Sequence, residues 1–267
     1  MKKQVSAGSS TRIETRNFVI HVKPRISATK LAEYIIANPT RQAAIAKNAK
    51  VAPKVIITPY KRTRSSLSEA FTASGISQEK LLAIAQDSRN STSGTPWTKE
   101  DNIKSSDLIV KMATVSDKIN CAGGTLIERP GAGWGGLSIE GVTVSVNPEL
   151  IFSIDHRGVK KVGAVILNTG KAASLSLSRS NGTQSVADYL TALVYRLLDQ
   201  NLSTVGAPIH TKCYAIDINR SLVHTAPAAH KTLNKHIEEA CRMIAMRWDS
   251  IVVNPDEDPD AAVTGDE

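Results

Sequence analysis

No stretch of this chain approaches the ~20 apolar residues that span a bilayer, so no membrane-spanning helix is expected. The opening Met1-Lys2-Lys3-Gln4 lacks the apolar core of a secretory leader, which points to the cytoplasm. Cysteine is scarce. Cys121, Cys213 and Cys241 are widely spaced and form no CxxC pair. Structural zinc needs close ligand pairs, and disulfide frameworks belong to small secreted chains, so buried, reduced thiols are expected. The six histidines include no H-E-x-x-H or H-N-H pattern, and His230 and His236, six apart, fall on different faces of one helix. No G-x-S-x-G elbow occurs, which leaves serine-hydrolase chemistry without support.

The 267 residues suffice for one large or two small domains with a substantial core. Acid is short everywhere except at one end. Residues 254–267 carry Asp256, Glu257, Asp258, Asp260, Asp266 and Glu267 with no Lys or Arg, and Pro255 and Pro259 deny the segment any apolar periodicity. It reads as a disordered tail. Setting aside those six of the 25 acids leaves 19 against 33 Lys and Arg, a body of +14. Such an excess suits a polyanion, nucleic acid foremost. The alternative is a basic surface that serves solubility alone.

Periodicity organises the rest. Residues 17–22 read as a strand, Ser27 as the N-cap of a helix to Ala37, and residues 41–50 as a second helix after Pro39. The segment 50–64 is strongly basic, with Tyr60 between Lys54 and the run Lys61-Arg62-Thr63-Arg64. Basic side chains around an aromatic suit phosphate and base contacts, although a solvated loop has the same composition. Helices are predicted at 65–73, 78–87 and 99–115, the last with Ile103, Leu108, Ile109 and Met112 inward, and the cluster 88–95 is a loop. Strands follow at 125–128, 137–146, 150–154 and 161–167, then an amphipathic helix 184–202, a strand 212–218 and a closing helix 228–248. The division expected is an N-terminal strand and helical segment (1–95), an α/β or α+β domain (96–253) and the acidic tail. The helical segment is expected to pack on one side of a mixed central sheet built from 137–167 and 212–218.

Gly131, Gly133 and Gly136 match G-x-G-x-x-G by count, but a dinucleotide loop opens a helix and this one precedes a strand. A turn beneath Trp134 is the better reading. The more telling stretch is 141–171, where two strand-like runs flank a turn at Asp155-His156-Arg157-Gly158. The first run carries Glu149 directly after Pro148, and the second leads to Lys171. Metal-dependent phosphodiester cleavage needs oxygen ligands at fixed spacing and gains from a lysine that neutralises developing charge. A carboxylate on one strand and an acid-x-lysine triplet on its neighbour supply both.

With the helix at 99–115 before this hairpin, and an amphipathic helix, a strand and a closing helix after it, the chain resembles the PD-(D/E)XK nuclease superfamily. The branch it resembles is the RecB-type or lambda-exonuclease-like one, over residues 99–248. The segment SATKLAEYIIANPTR is similar to a helix that opens some RecB-type proteins. The resemblance implies a restriction-endonuclease-like α/β fold, magnesium or manganese as cofactor, and DNA as partner. It gives Glu149 the place of the first metal-binding acid, Lys171 that of the catalytic lysine, and Gln184 or Tyr189 a polar contact from the following helix. Asp107 or Asp117 would complete the metal shell. Independently of the resemblance, the basic segment 50–64 offers Lys54, Lys61, Arg62 and Arg64 as the residues expected to hold nucleic acid. Thr169 departs from the pattern by standing where the family has Glu or Asp. Asn168 beside it points to the other face of the strand. Three functions stay open: a metal-dependent nuclease, a nucleic-acid-binding or assembly subunit that lost the acid, and an interaction protein with no nucleic-acid role. A protein partner or a second copy of the chain is left open with them.

Overall fold

A computed structural model describes residues 12–14, 18–53, 60–128, 134–170, 176–179, 182–227 and 230–253. The chain begins with β1 (Arg12–Glu14), β2 (Phe18–His21), β3 (Arg25–Ser27), α1 (Ala28–Ile36), α2 (Pro39–Lys50) and β4 (Val51–Pro53). Next come α3 (Lys61–Ala70), β5 (Phe71–Thr72), β6 (Gly75–Ile76), α4 (Gln78–Asn90), α5 (Pro96–Ala113) and β7 (Thr125–Leu126). Then follow β8 (Gly136–Ile139), β9 (Val142–Ser145), β10 (Leu150–His156), β11 (Val159–Asn168), β12 (Ser176–Arg179) and β13 (Gly182–Ser185). The chain closes with α6 (Val186–Asn201), β14 (Ala207–Asp217), β15 (Leu222–Thr225) and α7 (His230–Arg247).

Local chemistry sets most of these ends. Ser27 accepts from the Lys30 N–H and Asn38 from that of Arg41, and Pro39 occupies the first turn of α2, where its missing donor does no harm. Ser185 and Asp188 form a reciprocal capping box that starts α6 at Val186. Gln184, expected on that helix, therefore lies in β13. β10 and β11 are joined by Arg157 and Gly158, both at left-handed φ (57° and 77°), as a tight two-residue hairpin turn requires. Glu140 and Gly141 (48° and 78°) do the same between β8 and β9, which splits the expected run 137–146 into two strands.

The structure is a mixed α/β fold. Its five-stranded sheet has the order β15-β14-β11-β10-β7, in which β11 and β14 are parallel and the other neighbours antiparallel. Alternation along β11 divides the core in two. Val162, Ala164 and Ile166 face a cluster with residues of α1, α2, α6 and α7, while Val165 and Leu167 face one with Leu67, Leu81, Ile109 and Met112 from α3, α4 and α5. The helices before residue 95 thus lie on both faces of the sheet and not on one, because α1 and α3 each carry an apolar stripe that a different face covers. β8 and β9 are not in the main sheet either. They pair with β3 as a separate three-stranded sheet against the α1–α6 side. Ile103, expected inward, is 45 % exposed, since α5 turns Leu108, Ile109 and Met112 to the core instead.

The parallel β11–β14 contact depends on one glycine. The register slips between Val162 and Ala164, and a methyl group at Gly163 would lie 2.6 Å from the Lys212 carbonyl oxygen and 2.7 Å from Phe152 Cζ. Backbone and an aromatic ring cannot both retreat. Gly163→Ala is expected to cost about 1–3 kcal/mol through overpacking, read as a lower urea midpoint with an unchanged slope.

Candidate nucleic-acid interface

The helix α3 starts at Lys61, four residues before the expected Ser65, and this carries the basic run off a loop and onto a helix. Tyr60, at left-handed φ of 58°, makes the turn into it, and its N–H donates to Asp101 Oδ1 of α5 at 2.8 Å. The helix then presents Lys61, Arg64, Ser65 and Ser68 to a cleft of about 460 Å³. Leu126, Ile127, Glu128, Glu149 and Ile151, from β7, β10 and their flanks, form the opposite wall.

Glu149 is the pivot of this arrangement. Its side chain is 2 % exposed and forms an ion pair with Arg64 Nη1 through Oε1. Oε2 accepts the Leu167 N–H at 2.7 Å, and the Glu149 N–H donates to the Val165 carbonyl at 2.9 Å. A carboxylate therefore takes the place of a backbone acceptor at the point where the β10–β11 ladder ends. Two groups singled out separately in the sequence, the hairpin acid and the basic run, meet here through Arg64. Lys61 lines the same cleft.

The remaining candidates are placed differently. Arg62 turns back along α3 to Glu69, with Nη1–O distances of 2.6 and 2.7 Å. Asp107 is exposed and pairs with Arg89 between α4 and α5, and Asp117 is exposed in a 3-10 turn at Ser116–Lys118. The acid of α5 that does reach this region is Asp101, through Tyr60. Tyr189 is fully buried in α6, with its hydroxyl 3.0 Å from His236 Nδ1. Thr169 is half-buried, and its carbonyl accepts from Asn219 Nδ2 at 3.3 Å. Lys54, Lys171, Gly131 and Gly133 lie outside the described residues, as does the side chain of Gln184. Trp134 packs partly buried against the core cluster that contains α6.

Register decides which residues can share a ligand with Glu149. The ladder ends with Leu150 opposite Val165, where the Glu149 N–H also reaches the Val165 carbonyl, and Thr169 lies four residues, about 13 Å of extended chain, beyond Val165. The donor set does not fit a magnesium or manganese ion. Hard cations need several oxygens converging at about 2.1 Å, whereas the Glu149 oxygens accept from Arg64 and Leu167. Among the described residues no group of three His, Cys, Asp or Glu side chains is arranged to hold a metal. The cysteines add no chemistry. All three are unpaired and buried, and burial pushes the Cys213 thiol up, and that of Cys241 to about 12, far from the reactive thiolate.

A second polar group went unnoticed in the sequence. Glu33, Asn168 and Asp217 are each under 5 % exposed; Asn168 and Asp217 pair at the ends of the parallel strands β11 and β14, and Glu33 belongs to α1. Glu33 pairs with Lys30 at 3.0 Å and Arg41 at 3.9 Å, and a side chain at Gly170 would meet Glu33 Oε1 at 3.5 Å and Asn168 Oδ1 at 3.4 Å. The signal was a lone acid inside an apolar run, Leu31 to Ile36 and Tyr214 to Ile218.

No protein-family model matches the chain, and no curated protein matches it at a significant level.

Proposed function

We propose that the chain binds nucleic acid, DNA in the first instance, through α3 and the cleft beside it, and that it does so without metal-dependent cleavage. The observation that carries this reading is the way the first turns of α3 aim Lys61, Arg64, Ser65 and Ser68 into one cleft. Ammonium, guanidinium and hydroxyl donors in one place suit phosphate oxygens. The body charge of +14 supplies the long-range attraction that brings a polyanion to the surface. The order of α5, the β10–β11 hairpin, α6 and a β14 parallel to β11 supports a nuclease-like frame as its origin. The use of Glu149 as a structural acceptor for Arg64 and Leu167 favours the subunit that kept the frame and lost the acid over the active enzyme.

The test is incubation of the purified protein with single- and double-stranded DNA in magnesium or manganese. Binding without strand scission is expected. Cleavage that disappears in Glu149→Gln would restore the catalytic reading.

A further inference from the structure

We propose that the cleft between α3 and β7 takes a single unpaired nucleotide, with its phosphate on the α3 wall and its base on the opposite wall. This deepens the nucleic-acid-binding reading and rests on it. Three observations carry it. The cleft, at about 460 Å³, falls within the range of pockets that hold one small ligand, and it is too small for a duplex. Its lining is of both signs, with Lys61 and Arg64 facing Glu128 and Glu149, whereas a surface that only follows a phosphate backbone is served by one sign. Its far wall includes Leu126, Ile127 and Ile151, and Leu126 is 41 % exposed although it is a large apolar side chain in a strand.

Each feature matches a part of a nucleotide. Lys61, Ser65 and Ser68 meet the phosphate. The aliphatic side chains meet the face of the base, as apolar walls do in enzymes that take a base out of its stack. Arg64 holds Glu149, which leaves Glu128, exposed two residues beyond β7, as the carboxylate free to accept from an exocyclic amine. Carboxylates read cytosine through its N4 amine. The cleft therefore selects single strands over duplex, and cytosine over thymine, which has no exocyclic amine.

Fluorescence anisotropy with labelled twelve-mers tests this. The wild type is expected to bind single-stranded DNA at least tenfold more tightly than a duplex of the same sequence, and oligo-dC more tightly than oligo-dT. Leu126→Asp should collapse the preference for single strands, and Glu128→Gln should abolish the preference for dC. Glu128 is exposed, so its variant reports on recognition even if Leu126→Asp folds poorly. Equal affinities for single strand and duplex, unaltered by Glu128→Gln, would overturn the nucleotide pocket while leaving backbone binding intact. Failure to bind either form would overturn the binding reading itself.

Discussion

Replacing Glu149 with alanine is expected to destabilise the fold by about 3 kcal/mol, within the range for removing one partner of a buried, hydrogen-bonded charge pair. The change strands the Leu167 N–H in the core and leaves the Arg64 guanidinium without its carboxylate. Arg64 is 38 % exposed, and water can reclaim part of it, which keeps the figure at the lower end of that range. For a chain of this size the melting temperature should drop by roughly 6–12 °C. Glu149→Gln keeps an oxygen for Leu167 and should cost less, about 1–2 kcal/mol. Arg64→Ala should also destabilise, and the double variant should cost less than the sum of the two singles, because each single leaves a partner exposed to the same loss. A purely catalytic Glu149 predicts the opposite, an unchanged melting curve in Glu149→Gln. Chemical denaturation of the wild type and the four variants separates these outcomes.

The largest effect on binding is expected from Lys61→Glu, with an affinity loss of roughly tenfold or more at low salt and a weaker salt dependence. Lys61 lines the cleft and, unlike Arg64, is not tied to the Glu149 carboxylate in a buried pair, so reversing its charge tests recognition without dismantling the sheet edge. Lys61→Ala should show the same direction, with the logarithmic salt slope reduced by about one contact. Arg62→Ala should do less, since Arg62 already leans on Glu69. Changing Lys61, Arg62 and Arg64 together would confuse lost contacts with lost stability. An affinity and salt slope left unaltered by Lys61→Glu would remove α3 from the interface.

What could be read from the sequence follows the range of the interactions involved. Ser27, Asn38 and Pro39 announced α1 and α2 because caps act within one turn. The β10–β11 hairpin was legible because Arg157-Gly158 and the alternation on either side are local signals. Gln184 was misplaced by two residues, since the capping box that decides the boundary is read through Ser185 and Asp188 and not through apolar spacing. The basic run 61–64 looked like a loop because charge hides helical periodicity, and only Leu67 and Ala70, buried on the α4–α5 side, fix it as helix. The site was half-legible. Glu149 stood out as an acid between strands, but its partners Arg64 and Leu167 are 85 and 18 residues away. A spacing rule counted along β11 found Thr169 and Lys171, whereas the residue facing Glu149 is set by a cross-strand register that no single segment encodes. The same limit concealed Glu33 and Asn168, which come near each other only around Gly170, far apart in the chain.

The most direct test of nucleic-acid binding is the dissociation constant of the wild-type protein for a single-stranded DNA oligonucleotide, measured from 50 to 200 mM salt. Two or three phosphate contacts from α3 and its cleft predict measurable affinity at 50 mM and a roughly 7- to 18-fold loss by 200 mM, from the single-strand salt slope. No binding at the lowest salt, or an affinity that does not change across the series, would contradict it.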